Sequence, residues 1–348
     1  MPGTGWGRQA LRWLSVCSAA LVLQSAAAVG DEVADFYKGK RLKVMVGYGP
    51  GGTYDLYGRT LAKYIVEHVP GKPTYVTMNM PGASSAKLGN YFASAAPRDG
   101  TEFGIVNPSL LITPVLYEKS TLAFNPADLA VIGSVAKSSM LLVAWHTSGV
   151  KTVEDLRQKE LIVAATSRTG DTFLLPQAMK TVLGLDKLKI ITGYPGTREV
   201  LIALERAEVT GRVWNYDSIK ATRPEWLAEG KLNVVAQLSI ERDKDFPKVP
   251  LATDFTKSAE EKDALEIVFM SSEFSRPFVA PPGIPADRLK ALRSAFDATM
   301  RDPAFVADIT TQRLELSPLN AAQMGALLNK AHRAPRSVVQ RVRSAIGG

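Results

Sequence analysis

Apolar and polar positions fall into short extended runs, each ending in a glycine- or hydroxyl-rich turn that gives way to helical periodicity. Leu42 to Val46 is rich in β-branched and long apolar residues, which predicts a strand. It ends in four glycines between Gly47 and Gly52, and beyond them Tyr57, Leu61, Tyr64, Ile65 and His68 recur on one helical face. Thr53 offers an N-cap oxygen there, and Asp55 places a negative charge in the first turn. Exposed N–H groups and the helix dipole converge on such a corner, which predicts an anion site. The pattern repeats. Thr74 to Met78 predicts a second strand, Asn79 to Ser85 a turn, and Ala86 to Ala95 a small-residue helix; Glu102 to Val106 predicts a third strand, closed by Asn107-Pro-Ser109.

Leu129 to Trp145 is too long for one strand and reads as two, broken at Lys137-Ser-Ser139, the second opening a new domain. Thr152-Val-Glu-Asp155 predicts a helix start, Leu161 to Ala165 a strand, Thr166 to Thr172 a polar loop, and Phe173 to Leu183 a helix. Lys189 to Thr192 feeds the turn Gly193 to Arg198 and a helix from Val200 to Arg206, and Val209 to Trp214 is a strand ended by Asn215-Tyr-Asp217. Residues 231–238 are extended and run back toward the first domain, whereas the polar segment 241–264 carries no functional signal. Phe274 to Val279 reads as a returning strand, Pro281 to Pro285 as a rigid linker, and 286–300, 303–310 and 320–343 as helices. Strand, turn and helix in alternation imply an α/β fold of parallel sheets covered by helices, with ligands at the carboxyl ends of the strands. Two lobes are expected, one from 32–135 and 241–348 and the other from 136–240, facing each other across a cleft.

Composition adds compartment and class. The 348 residues are 46% hydrophobic and 22% charged, an ordinary soluble globular balance with length for two domains. Arg8 and Arg12 precede an apolar run from Trp13 to Leu23, and Ala26-Ala27-Ala28 follows, so residues 1–28 read as an export signal shorter than an ordinary membrane span. The one cysteine, Cys17, lies inside that signal, with bulky Val16 before it, which speaks against lipid attachment. Loss of Arg8 and Arg12 lowers the net charge from +8 to the balance of 40 basic against 34 acidic residues. The one basic cluster, His332, Arg333, Arg336, Arg341 and Arg343, lacks interleaved aromatics and reads as a solvated helix face, so no nucleic-acid partner is expected.

Gly47, Gly49 and Gly52 satisfy the dinucleotide fingerprint letter by letter, which raises a dinucleotide-dependent oxidoreductase as the alternative. That fingerprint needs an acid at the end of the second strand to hold the ribose, and the strand here ends at Met78-Asn79. The three histidines, His68, His146 and His332, stand far apart, and no nucleophile elbow or metal-spaced cluster occurs, so neither enzyme, metal nor cofactor is expected. A binding protein is the favoured class. Its candidate ligand residues are Tyr48, Gly51, Gly52, Thr53, Tyr54 and Asp55 in the first loop, Ala83, Ser84 and Ser85 in the second, and Asn107 and Ser109 in the third. The second half adds Arg168, Thr169, Asp171 and Thr172, then Tyr194, Gly196, Thr197 and Arg198, and finally Trp214 and Asn215. If Arg168 and Arg198 both face the cleft, they clamp the far end of a longer or doubly charged acid.

The chain also resembles the periplasmic solute receptors of tripartite tricarboxylate transporters, the Bug-type receptors. The resemblance rests on Pro50-Gly-Gly-Thr-Tyr-Asp55, Met80-Pro-Gly-Ala83 followed by Gly89-Asn90, and Ala96-Pro-Arg-Asp-Gly-Thr101, then Tyr194-Pro-Gly-Thr197 and Ala280-Pro-Pro-Gly-Ile-Pro285, and it spans nearly all of 36–330. It implies a monomeric, periplasmic, two-lobed Venus-flytrap protein of type II-like architecture. Such a receptor binds a small carboxylate, a di- or tricarboxylate or an aromatic acid, and delivers it to membrane permease subunits. This chain departs from the family pattern in carrying Arg168 and Asp171 where small residues are usual, Pro195 and then Arg198 near a usual basic position, and Trp214-Asn215 where an Asp is usual.

Overall fold

The computed structural model describes residues 32–118 and 122–347, so the export signal expected over 1–28 lies outside the described residues. In chain order the strands are β1 Arg41–Val46, β2 Thr74–Asn79, β3 Glu102–Ile105, β4 Ala130–Ser134, β5 Met140–Trp145, β6 Leu161–Ala164, β7 Leu188–Ile191, β8 Gly211–Asn215, β9 Leu232–Gln237, β10 Pro277–Ala280 and β11 Leu319–Asn320. Helices of eight residues or more are α1 Thr53–His68, α2 Ala86–Ser94, α3 Asp171–Leu183, α4 Thr197–Glu205, α5 Ala259–Phe269, α6 Ala286–Thr299, α7 Pro303–Thr311, α8 Ala321–His332 and α9 Arg336–Ile346.

The strands form two sheets, in the orders β11-β4-β10-β3-β1-β2 and β7-β6-β8-β5-β9. Neither is parallel throughout, which corrects the expectation from the alternating pattern. Only β2-β1-β3 and β7-β6-β8 run parallel, while β4, β10 and β11 in one sheet and β5 and β9 in the other pair antiparallel. The physical reason is connection length. β5 follows β4 across the short segment 135–139, which has no room for the helical crossover that a parallel neighbour needs, and β10 enters the first sheet from the second after α5 rather than from a neighbouring strand.

Two further expectations change. The helix expected over 320–343 is two helices, because Pro335 has no N–H to donate and pushes Ala334 out of the helical region. Thr152 and Asp155 do bond to each other's backbone, yet they start only the single 3-10 turn Asp155–Arg157. The polar stretch at 241–264 conceals the start of α5, where Ser258 Oγ accepts the Glu261 N–H at 3.2 Å and Ala264, Leu265, Ile267 and Val268 are buried.

Helices cover the sheets and join them. α1 and α6 cover one face of the first sheet, burying Tyr57, Leu61, Ile65, Phe103, Phe278 and Phe296 in one apolar cluster. α5 and α9 pack on α3, so parts of the 241–348 segment lie against the helix of the second sheet. A continuous core runs from Leu88 and Phe92 through Leu142 and Val163 to Leu174, Phe269 and Val342. A third cluster joins α4 to Trp145, Trp214 and Trp226.

Close approach of α1 to β1 depends on Gly58, where a Cβ would stand 2.6 Å from Val46 Cγ2. Gly325, inside α8, has nothing within 4 Å of the same position. Ala is favoured over Gly by up to about 1 kcal/mol in a helix, whereas forcing an extra carbon into a packed core costs about 1–3 kcal/mol. Gly325→Ala should therefore stabilise and Gly58→Ala destabilise, each by about 1 kcal/mol in urea unfolding. The same sign for both substitutions would refute this account of the contact.

Candidate ligand site

Six strand ends meet at one place. The carboxyl ends of β1, β2 and β3 from one sheet face those of β6, β7 and β8 from the other, and between them lies a cleft of about 270 Å3. A second hollow of similar size continues it past Gly82 to Ser84 and Gly193 to Pro195, with Tyr48, Pro81, Thr166 and Pro195 shared. The walls touch directly. Ser84 Oγ lies 2.7 Å from Thr166 Oγ1, Ser167 Oγ donates to Ser84 Oγ at 2.8 Å, and Asn107 Nδ2 donates to Asp171 Oδ1 at 3.0 Å.

The first wall is built by the loop after β1. Its helix is capped differently from the sequence reading: Gly52 occupies the N-cap, and the Thr53 hydroxyl is buried without a partner. Asp55 serves the loop rather than the cleft. Its carboxylate accepts the Gly51 N–H at 2.9 Å, Arg59 Nε at 3.0 Å and Asn79 Nδ2 at 2.8 Å. Burial pushes the Asp55 pKa up, but these donors outweigh it and hold the carboxyl below its ordinary value. Asn79 Nδ2 also donates to Tyr48 O at 2.9 Å, so the strand end where a ribose-holding acid would stand carries an amide that ties the loop. Gly52 has φ −92, so no left-handed backbone requires glycine there; a Cβ would enter open space at the cleft wall. Tyr48 and Tyr54 stack with ring centroids 4.4 Å apart and form a flat apolar face.

The second loop is strained. Ala83, Ser84 and Ser85 all have positive φ, at 45°, 49° and 72°, a run that costs of order 1–3 kcal/mol per residue. It is held by Ser85 Oγ, which accepts the Asn107 N–H at 3.0 Å and donates to Gly47 O at 3.4 Å. Asn107 in turn caps the short helix Pro108–Leu111 and donates Nδ2 to Tyr48 Oη at 2.8 Å.

The opposing wall carries the charge. Asp171 is 4% exposed and accepts Asn107 Nδ2 and the Thr172 N–H; burial nonetheless raises its pKa. Arg212, the second residue of β8, is 5% exposed and lies over the Trp214 ring at 4.2 Å. Its Nη1 has no partner, its Nε reaches only Val213 O at 3.5 Å, and no acid among the described residues forms an ion pair with it. Burial pushes its pKa down, opposed by the nearby Asp171 charge. Trp214 Nε1 and Asn215 Nδ2, also lining the cleft, are buried without partners. Arg212 Nη1, Trp214 Nε1 and Asn215 Nδ2 are donors only, an arrangement complementary to a ligand rich in acceptors.

Of the expected residues, the cleft and its extension bring together Tyr48, Gly52, Thr53, Tyr54, Ala83, Ser84, Asp171, Thr172, Tyr194, Gly196, Thr197, Arg198, Trp214 and Asn215. Ser85 and Asn107 support them from behind. Gly51, Asp55, Ser109, Arg168 and Thr169 do not line either hollow. Arg168 is exposed, with its guanidinium 5.7 Å from the Phe173 ring and its carbonyl accepting Tyr117 Oη–H, so it does not form a clamp with Arg198. Arg198 is exposed and lines the cleft. The loop-based reading of the sequence does not single out Arg212. Its signal is a charge at an interior strand position, two residues before Trp214 and hence on the same face.

A family model described as "Tripartite tricarboxylate transporter family receptor" matches residues 59–343. The chain is 25% identical over 337 residues to the UPF0065 protein in gbd 5'region of Cupriavidus necator, covering 94% of this chain and 95% of that one. It resembles the structure of R. palustris Rpa4515 with adipate at TM-score 0.68 and 20% identity, over 87% of this chain and 97% of that one. It also resembles MatC (Rpa3494) from Rhodopseudomonas palustris with bound malate, at TM-score 0.66 and 18% identity over 88% and 99% of the two chains. At these identities the structural likeness is one of fold.

The lowered pKa of Arg212 has a sign that can be tested. Burial disfavours the charged guanidinium in the folded chain relative to the unfolded one, and arginine keeps its proton throughout the accessible pH range. The buried charge is therefore a net cost. Arg212→Met should raise the unfolding free energy of the ligand-free protein by about 2 kcal/mol at pH 7 and by about as much at an alkaline pH. Urea titrations of both proteins at pH 7 and at an alkaline pH measure this, and a destabilised variant would contradict it.

Proposed function

The chain belongs to the tripartite tricarboxylate transporter receptor family, and on that premise we propose that it is a periplasmic receptor that captures a small carboxylate between its two lobes and hands it to the permease subunits of such a transporter. The lobes in this reading are 32–135 with 241–348, and 136–240, with α5 and α9 reaching from the first segment set onto the second lobe. The protein acts as a monomer after removal of residues 1–28.

One observation carries the reading: a cleft whose buried unpartnered groups include Thr53 Oγ1, Arg212 Nη1, Trp214 Nε1 and Asn215 Nδ2. A buried guanidinium without an ion-pair contact is expensive, and a carboxylate beside it offsets that cost. At the other wall, the first N–H groups of α1 have no carbonyl within the helix to bond, and the helix dipole favours negative charge there. A ligand with two acidic groups therefore meets Arg212 at one end and the start of α1 at the other. The Tyr48–Tyr54 stack, Pro50, Pro81 and Pro195 line the space between. Adipate and malate, the acids named with the two Rhodopseudomonas structures, both carry two carboxylates.

Thermal shift and calorimetry with acetate, benzoate, malate, adipate and citrate test the proposal. A ligand at a hundredfold excess over its Kd should raise the unfolding free energy by about 2.7 kcal/mol. Arg212→Met should weaken a di- or tricarboxylate by about 1.5–3 kcal/mol and change acetate or benzoate little. No response to any of the five acids would overturn the reading.

A further inference from the structure

Beneath the cleft lies an ion pair that does not touch it. Arg276 is fully buried, and its Nη2 donates to both carboxylate oxygens of Asp217, at 2.9 and 2.8 Å, and to Ser218 Oγ at 3.0 Å. Its Nη1 donates to Ser275 O at 3.0 Å. Asp217 is met from two further directions, by Tyr57 Oη at 3.0 Å and by Ser138 Oγ at 2.5 Å. Four separate stretches of chain thus share one carboxylate. Asp217 follows β8 of the second sheet, Arg276 precedes β10 of the first, Tyr57 lies on α1, and Ser138 sits in the segment that crosses from β4 to β5.

We infer that the Arg276–Asp217 pair is a positioning element for the ligand cleft, fixing a contact residue of each wall relative to the other so that ligand affinity depends on a pair the ligand never reaches. This rests on the reading of the cleft as the ligand site. The guanidinium lies 4.9 Å from the Tyr54 ring, and Tyr54 Oη donates to Ser275 O at 3.4 Å. Tyr54 lines the cleft from α1, and Ser218, bonded to the same guanidinium, lines it from beyond β8. One side chain therefore touches both walls from below. A role confined to stability is the competing account. It is weakened by two facts: Arg276 Nε is buried without a partner, and apolar residues of similar volume generally replace a buried ion pair without loss of stability.

The two accounts separate in a double variant, Arg276→Met with Asp217→Leu, made in the full chain beside Arg276→Lys and Tyr57→Phe. Positioning predicts that the double variant keeps its unfolding midpoint within about 3 °C of the parent yet binds malate and adipate about tenfold more weakly by calorimetry. Spin labels at Glu67→Cys and Lys187→Cys in a Cys17→Ser background, one exposed site beside each sheet, should show a broader distance distribution without ligand. Unchanged affinity and an unchanged distribution at a retained midpoint would overturn the inference. If the double variant does not fold, Arg276→Lys and Tyr57→Phe decide it, since each keeps part of the node and should still weaken binding about threefold; parental affinity in both would overturn it. If the parent binds neither acid, the carboxylate reading fails for these probes, and the ligand-free label distances still decide the positioning role.

Discussion

Strand direction is the constraint from which the rest of this molecule follows. A parallel strand delivers its carboxyl end to the same edge as its neighbours, and here two parallel triplets, β2-β1-β3 and β7-β6-β8, deliver theirs to one gap. Every loop that leaves those strands must turn beside the gap, and every helix that follows starts there. The antiparallel strands take no part in the cleft's loops; they carry the chain between sheets and close the cores. The cleft is thus a by-product of topology, and chemistry is then chosen by the few side chains that the loops and the strand β8 expose to it.

Those side chains are not arranged for stability. A run of three left-handed residues, a buried guanidinium without an ion-pair contact, and orphaned indole and amide donors are all features a folding protein would shed if nothing were gained. They cluster at the cleft, at the hollow that continues it and directly behind them, while the cores farther back hold conventional aromatic and aliphatic contacts. Departure from the local rules is therefore itself the mark of the site. Asp55 shows the opposite case, an acid at a promising helix start that is fully used in holding its own loop together.

Much of the fold is legible in sequence because period and punctuation agree. Leu42 to Val46, the glycines, and the Tyr57, Leu61, Ile65 face of α1 each point to one structure. Where the signal lies in long-range pairing it disappears: nothing within Phe274 to Val279 says that β10 inserts antiparallel between β3 and β4. Local competition hides other elements. Glu260, Glu261 and Lys262 make the first turn of α5 look like surface coil, and the break before α9 is a single proline in an otherwise helical pattern. Site residues are legible on loops and at strand ends, as Tyr48, Trp214 and Asn215 are, and Arg212, earlier in the same strand as Trp214, is not. Arg212 escaped because a strand interior is read for its apolar content, and Arg168 attracted notice because a loop charge is visible whichever way it points.

The position of α9 has a consequence for how the chain is made. Its apolar face, Val338, Val342, Ala345 and Ile346, packs against α3 and α5. The apolar surface of α3 therefore stays open until α5 and α9, both far from it along the chain, arrive to cover it. Contacts of such wide sequence separation are slow to form and cannot form at all on a partly synthesised chain. Because α3 opens at Asp171, a residue of the cleft, the charged wall of the cleft settles only once that distant contact has been made.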